Sequence, residues 1–213
     1  MNFIDERIED YCRHHTSEES ALLQKINRDT FAKVLNPRML SGHFQGRLLS
    51  MLSNMIQPEH ILEIGTYTGY SALCLAEGLS PNGRLITIEK NAELEDRIQN
   101  NFSQSEHRHK IKLMMGNALE IIPALDVKFQ LVFIDADKEN YLNYYNLVFD
   151  KVEKGGYLLA DNVLWSGKVL EKPAKDDLDT QRIMTFNDHV VNDSRVECIM
   201  LPFRDGLTLI RKK

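Results

Sequence analysis

The 213-residue sequence holds three cysteines, Cys12, Cys74 and Cys198, and no CxxC pair. A set this sparse and scattered builds neither a disulfide framework nor a zinc knuckle, and reads as a reducing compartment. No apolar run approaches the roughly 20 residues that cross a bilayer. The N-terminus carries Asp5, Glu6, Arg7, Glu9 and Asp10 where a secretory leader would place basic charge ahead of an apolar stretch. These absences predict a cytoplasmic protein with no membrane partner. Internal repeats, low-complexity segments and a Gly/Ser/Pro-rich linker are missing too. One domain over 1–213 is therefore expected, with a helical part at 1–57 and a core at 58–213. Excess positive charge is also lacking: the formal net charge is -5, which argues against bulk affinity for nucleic acid while leaving room for a local basic patch. With 43% hydrophobic and 27% charged residues, the chain has enough apolar surface for a packed core and is excluded from the disordered class.

The first 57 residues lack strand-like runs. They predict helices over Asn2 to His14, Ser17 to Leu35 with Ser17 as the cap, and His43 to Gln57. From His60 short apolar runs alternate with amphipathic stretches. Strands are predicted at His60 to Gly65, Arg84 to Lys90, Ile111 to Gly116, Gln130 to Asp137, Gly156 to Asp161, Val196 to Pro202 and Leu207 to Arg211. Helices are predicted between the first five, at Tyr70 to Gly78, Ala92 to Gln104, Ala118 to Ala124 and Tyr141 to Val152. The runs Leu131-Val132-Phe133-Ile134 and Tyr157-Leu158-Leu159-Ala160 are continuously apolar, as in a parallel sheet covered on both faces. The fold class is thus doubly wound α/β. The last two strands are joined only by Phe203-Arg204-Asp205-Gly206, which permits an antiparallel hairpin and nothing longer. In such sheets ligands bind beyond the carboxyl ends of the strands.

At the first of those ends stands Glu63-Ile64-Gly65-Thr66-Tyr67-Thr68-Gly69. The two glycines allow backbone to approach a ligand closely. The GxGxxG that cradles a pyrophosphate is absent, since Thr66, Tyr67 and Thr68 fill the space between them. S-adenosylmethionine carries no phosphate, so the turn favours it over NAD. Glu89 ends the next strand, twenty residues after Gly69, where a carboxylate can accept both ribose hydroxyls. Glu63, set in a buried apolar strand, is expected to have a cationic partner. At the fourth and fifth strand ends lie Asp135, Asp161 and Asn162. Three oxygen ligands without histidine or cysteine describe a hard-cation site, Mg²⁺ first, with Mn²⁺ and Ca²⁺ as alternatives. Lys138 follows Asp135 by three residues, and a lysine beside a cation suits a general base. His14, His15, His107 and His109 show no ligand-pair spacing and read as surface residues. His43 lies near Ser41 and Gln45, where a pocket wall is expected, and packing is its favoured role. The acidic stretch Asp176-Asp177-Leu178-Asp179 predicts a helix start.

Four segments together resemble the cation-dependent class I O-methyltransferases typified by caffeoyl-CoA and catechol O-methyltransferases. They are Leu62 to Ser71, Phe133 to Lys138, Asp161 to Gly167 and Leu201 to Leu209, within a likeness that runs from about residue 38 to the C-terminus. The resemblance implies a Rossmann-like seven-stranded sheet with an antiparallel last strand. It implies S-adenosylmethionine held by Ser41, Glu63, Gly65, Thr66, Ser71, Glu89, Ala118 and Asp137, with Tyr67 inside the cofactor turn and Asp135 bordering it. It implies a divalent cation on Asp135, Asp161 and Asn162, Lys138 as base, and a hydroxylated aromatic small-molecule acceptor. Arg38, Trp165 and Tyr141 would line the acceptor pocket, and the protein would be a homodimer. Similar bacterial proteins methylate hydroxyuridine in transfer RNA; His107-Arg108-His109-Lys110 and Arg211-Lys212-Lys213 could contribute phosphate contacts, but the acidic total weighs against that acceptor. The remaining alternative, a NAD-binding or catalytically silent nucleotide-binding protein, meets the missing GxGxxG and the complete Asp135/Lys138/Asp161/Asn162 set.

Overall fold

A computed structural model describes residues 4–213. The N-terminal part is helical: α1 spans Glu6–His14, α2 Ala21–Lys33 and α3 Gly42–Ile56. Asn2, where the first helix was expected to start, lies outside the described residues. The Asp5 side chain caps α1 by accepting from the Arg7 N–H. Ser20, not Ser17, caps α2 through the Leu23 N–H. Ser17 keeps its carbonyl for the His43 ring, whose Nε2 lies 2.7 Å away, so His43 ties two N-terminal segments together. His14 and His15 bond to carbonyls of their own helix.

The core follows as β1 His60–Ile64, α4 Tyr70–Ala76, β2 Arg84–Glu89, α5 Glu95–Ser103, β3 Ile111–Met115, α6 Ala118–Ala124, β4 Phe129–Ile134, α7 Tyr141–Phe149, β5 Val152–Asp161, α8 Leu178–Asn192, β6 Val196–Leu201 and β7 Leu207–Lys212. The strands form a seven-stranded sheet in the order β3-β2-β1-β4-β5-β7-β6. β1 to β5 run parallel, and β7 is antiparallel to both β5 and β6. Two of the boundaries that differ from expectation have a visible cause. β4 stops at Ile134 instead of Asp137: its last bond to β1 is from the Asp135 N–H to the Ile64 carbonyl, and the chain then enters a 3-10 turn at Lys138–Asn140. α7 ends at Phe149 instead of Val152, since Val152 already pairs with Phe129 at the start of a longer β5. Asp177 caps α8 through the Thr180 N–H, as the acidic stretch predicted.

Two apolar layers sandwich the sheet. Leu62, Ile64, Val132 and Ile134 pack with Ile122, Tyr145, Val148 and Phe186 from α6 to α8. Ile61, Leu131, Phe133 and Leu159 pack on the other face with Leu49, Leu75, Ile98 and Phe102 from α3 to α5. Side chains alternate along a strand, so Glu63, Thr87, Glu89 and Asp161 all fall on that second face. The N-terminal helices thereby cover polar groups as well as apolar ones. α3 approaches closely because Gly46 meets Tyr70 and Cys74, where a Cβ would overlap both.

Candidate active site

The cofactor turn is built by two close approaches of backbone. Gly65 has φ +98°, and a Cβ there would collide with the Asp135 carbonyl oxygen. The glycine therefore lets the end of β1 lie against the end of β4, joining the cofactor turn to the loop that carries Asp135. Tyr67 takes a left-handed φ of 53°, and its N–H donates to Glu89 Oε2 at 2.7 Å. Glu89 Oε1 accepts the Asn91 N–H at 2.8 Å. The Tyr67 hydroxyl reaches back to the Leu35 and Asn36 carbonyls, which binds the strap between α2 and α3 to the turn. A narrow cavity here is lined by Leu40, Ser41, Gly65, Thr66, Ser71 and Asp135, with Tyr67, Tyr70 and Met39 completing it. Six of the residues expected near the cofactor, Ser41, Gly65, Thr66, Tyr67, Ser71 and Asp135, thus share one cavity. Glu63 lies beneath it, Glu89 is joined to it through Tyr67, and Ala118 and Asp137 stand outside it.

Glu63 departs from expectation: among the described residues no Lys, Arg or His side chain partners it. It is 0% exposed, and Thr87 donates to Oε2 at 2.5 Å, with Thr66 in turn within 2.5 Å of Thr87. Its Oε1 is buried without a hydrogen-bond partner. Burial pushes its pKa up to about 8, opposed by the neighbouring Ser71 and Thr87 hydroxyls, and the Asp135 and Glu89 charges add to the rise. Protonation therefore does what a cation was expected to do.

Across the Gly65 contact the groups are charged. Lys138, 8% exposed, donates to Asn162 Oδ1 at 2.9 Å and to the Tyr141 hydroxyl at 2.5 Å, and lies 3.8 Å from Asp135 Oδ1. Burial pulls its pKa below the ordinary lysine value, with Asp135 and Asp161 opposing that pull. Asp161, 4% exposed, has its pKa pushed up to about 7 by burial and by the Asp135 charge. Asp135 is raised as well, first by burial, with Lys138 and Arg204 opposing. Asn162 holds a left-handed φ of 57°, a strained conformation of the kind that collects at functional sites. Among the described residues no three His, Cys, Asp or Glu side chains gather as a metal cluster. A cation would rest on two carboxylates and the Asn162 amide oxygen. That set fits a hard cation, because two mutually repelling carboxylates, one buried and one half-buried, are stabilised by a positive charge between them.

The remaining candidates separate. Asp137 accepts from Tyr144 at 2.7 Å and from Asn140 at 2.5 Å, with Lys90 at 3.2 Å; burial raises its pKa, but these partners outweigh it and the net shift is downward. Tyr141, expected to line the acceptor pocket, is fully buried. It lies under Lys138 and donates to the Asp161 carbonyl at 2.9 Å, a supporting place that follows from its position at the first turn of α7. Trp165 stays at the site: its ring centroid is 5.8 Å from Lys138 Nζ, and its buried Nε1 has no hydrogen-bond partner. Arg38 is exposed. Sequence reasoning passed over two residues that reach the site from far along the chain. Gln45 Nε2 donates to Asp161 Oδ2 at 2.7 Å, and Arg204 donates to Gln45 Oε1 at 2.5 Å. Arg204 lay in the hairpin turn and in one of the four resembling segments, neither of which says where its side chain points.

A mostly parallel seven-stranded sheet with an antiparallel last strand, and a cleft beyond its carboxyl edge, defines a Rossmann-like methyltransferase fold. The chain belongs to the O-methyltransferase family, whose model matches residues 13–213. Caffeoyl-CoA O-methyltransferase of Mesembryanthemum crystallinum is 35% identical over 196 residues, covering 87% of this chain and 77% of that one. Among solved structures, the Bacillus cereus O-methyltransferase in complex with SAH superposes with a TM-score of 0.89 at 26% identity, covering 97% of each chain. The O-methyltransferase TomG of Streptomyces achromogenes, involved in tomaymycin synthesis and solved with SAM, gives 0.88 at 29% identity over 97% of this chain and 96% of that one. No helix among the described residues is long and apolar enough to cross a membrane.

Proposed function

We propose that this chain transfers a methyl group from S-adenosylmethionine to a hydroxyl of a catechol-like or caffeoyl-type small molecule, with a divalent cation held by Asp135, Asp161 and Asn162. The observation that carries this reading is the convergence of Asp135, Lys138, Asp161 and Asn162 on one rim, joined to the cofactor turn through the Gly65 contact. The complexes with SAH and SAM among its structural relatives support the cofactor. In this reading Ser41, Gly65, Thr66, Tyr67 and Ser71 surround the cofactor, Glu63 lies below it, and Glu89 takes its ribose. Ala118 and Asp137 flank the adenine side. A bound divalent cation supplies positive charge that lowers the pKa of an acceptor hydroxyl.

Lys138 Nζ accepts the hydroxyl proton. Burial favours the neutral amine, and Tyr141 and Asn162 fix its position. The acceptor oxygen then attacks the methyl carbon in line as the carbon–sulfur bond breaks and S-adenosylhomocysteine leaves. No covalent enzyme intermediate is required; the rate gain comes from positioning and electrostatics. The Trp165 ring and its unpartnered N–H border the acceptor.

A methyl-transfer screen with labelled S-adenosylmethionine tests the reading over catechols, hydroxycinnamoyl thioesters, flavonoids and purified transfer RNA. Transfer to a vicinal dihydroxy aromatic, abolished by EDTA and restored by Mg²⁺, is expected. Strong activity that survives both EDTA and Asp161→Ala would sink the cation, and methylation of transfer RNA alone would replace the acceptor.

A further inference from the structure

We propose that Arg204 is a positioning residue with two jobs: through Gln45 it orients Asp161, and directly it fastens the Leu40–Ser41 edge of the cofactor cavity. The inference rests on the reading above, in which Asp161 serves the cation and Ser41 the cofactor.

Four observations carry it. Arg204 sits in the turn between β6 and β7 with a left-handed φ of 52°, a conformation that costs any residue with a Cβ and that glycine takes freely. Strained residues of this kind collect at functional sites, which directs attention to the side chain. That side chain reaches across to the N-terminal part: Nη1 donates to the Ser41 carbonyl and to Gln45 Oε1, and Nη2 donates to the Leu40 carbonyl at 3.2 Å. Leu40 and Ser41 line the cofactor cavity. Gln45 is fully buried and makes its second bond, 2.7 Å, to Asp161 Oδ2.

The amide of Gln45 has a direction, and Arg204 sets it. With Oε1 toward the guanidinium, Nε2 must face Asp161. Turned over, the amide would oppose N–H to the guanidinium and oxygen to the carboxylate, which is unfavourable at both ends. The cation of Arg204 thus fixes which Asp161 oxygen is engaged and leaves the other for a ligand. Gly206 anchors the same turn, because a Cβ there would press on Leu164 in the loop after Asp161. One turn therefore bears on both sides of the site.

Three variants test this: Arg204→Gly, which keeps the turn, Arg204→Lys, and Gln45→Met, which keeps the side-chain length and loses both bonds. Thermal denaturation checks folding. Calorimetric titration then measures S-adenosylmethionine affinity, and electron paramagnetic resonance measures Mn²⁺ affinity without acceptor. Arg204→Gly should weaken both ligands by about tenfold, as expected for lost hydrogen bonds to a charged group. Gln45→Met should weaken Mn²⁺ by about tenfold and leave S-adenosylmethionine within about twofold, because the Leu40 and Ser41 bonds survive. Arg204→Lys should fall between wild type and Arg204→Gly, a point charge being unable to reproduce the fork. A folded Arg204→Gly that binds both ligands like wild type, or a Gln45→Met with unchanged Mn²⁺ affinity, overturns the proposal. Equal Mn²⁺ binding by wild type and Asp161→Ala would remove the cation reading instead. The S-adenosylmethionine titration of Arg204→Gly would then still decide the cofactor-side role.

Discussion

On the cofactor side of the rim Glu63 is buried among hydroxyls, whereas on the side proposed for the acceptor Asp161 is buried and Asp135 half-buried beside Lys138, Arg204 and Gln45. Both regions take carboxylates out of water, and both raise their pKa values by burial. They differ in how the charge is met. Glu63 is neutralised by its own proton, which leaves a polar but uncharged floor under the cavity. The acceptor side meets its carboxylates with Lys138, with Arg204 acting through Gln45 and with directed hydrogen bonds, while burial brings Asp161 up to about 7 and Lys138 below its ordinary value. A neutral floor suits a ligand that is bound and released intact in its ribose and adenine. A charged rim suits a place where a proton moves and an oxyanion develops.

The largest expected effects sit on the charged side. Asp161→Ala and Lys138→Met should each lower kcat by roughly 10²–10⁴, the range of a positioned acid–base group; thermal stability should be unchanged or raised in Asp161→Ala, which removes a carboxylate repelled by Asp135, and lowered in Lys138→Met, which leaves Asp135 without its counter-charge. Steady-state kinetics with a catechol acceptor checks this. An equal loss of kcat in Glu63→Gln would erase the contrast between the two sides.

Next comes stability against pH in the cofactor-free protein. The folded pKa of Glu63 is about 8 against an ordinary 4.5. Between those values the folded state binds the proton and the unfolded state does not, so stability falls as pH rises and levels off above about 8. Glu63→Gln removes that slope. Relative to wild type it should gain on the order of 3 kcal/mol between pH 5 and pH 8 by denaturant titration. A difference that does not change with pH would mean Glu63 is ionised and that the two sides are alike.

A smaller effect is expected from Glu89→Gln. The variant keeps an oxygen for only one of the Tyr67 and Asn91 N–H groups, turns an NH2 on the other and loses the charge, so KM for S-adenosylmethionine should rise about tenfold with kcat little changed. Least of all, Tyr67→Phe loses only the bonds to the Leu35 and Asn36 carbonyls. It should raise the same KM about two- to fivefold, in line with a neutral, partly exposed hydrogen bond.

Much of the fold could be read from local pattern. Continuous apolar runs announced the parallel strands, and the four-residue link before Leu207 announced the hairpin, because both follow from short-range geometry. Strand ends were less legible. β4 ends three residues before the expected point, since pairing with β1 stops where Gly65 turns away and the chain enters the 3-10 turn at Lys138–Asn140, which no local signal reports. The candidate residues near glycines and strand ends were visible for the same local reason. Gln45 and Arg204 were not, being 116 and 159 residues in sequence from the groups they touch.

The chain by itself determined which residue types stand at the carboxyl ends of the strands: Glu63, Glu89, Asp135, Asp161 and Asn162 follow from apolar runs of fixed length and the turns that end them. Tertiary structure alone decided what neutralises each. Side-chain alternation put Glu63 opposite Thr87 instead of a cation, and the closure of the last hairpin onto α3 brought Arg204 through Gln45 to Asp161. Protonation state depends on burial and on neighbours in space, and those are fixed only when distant segments pack.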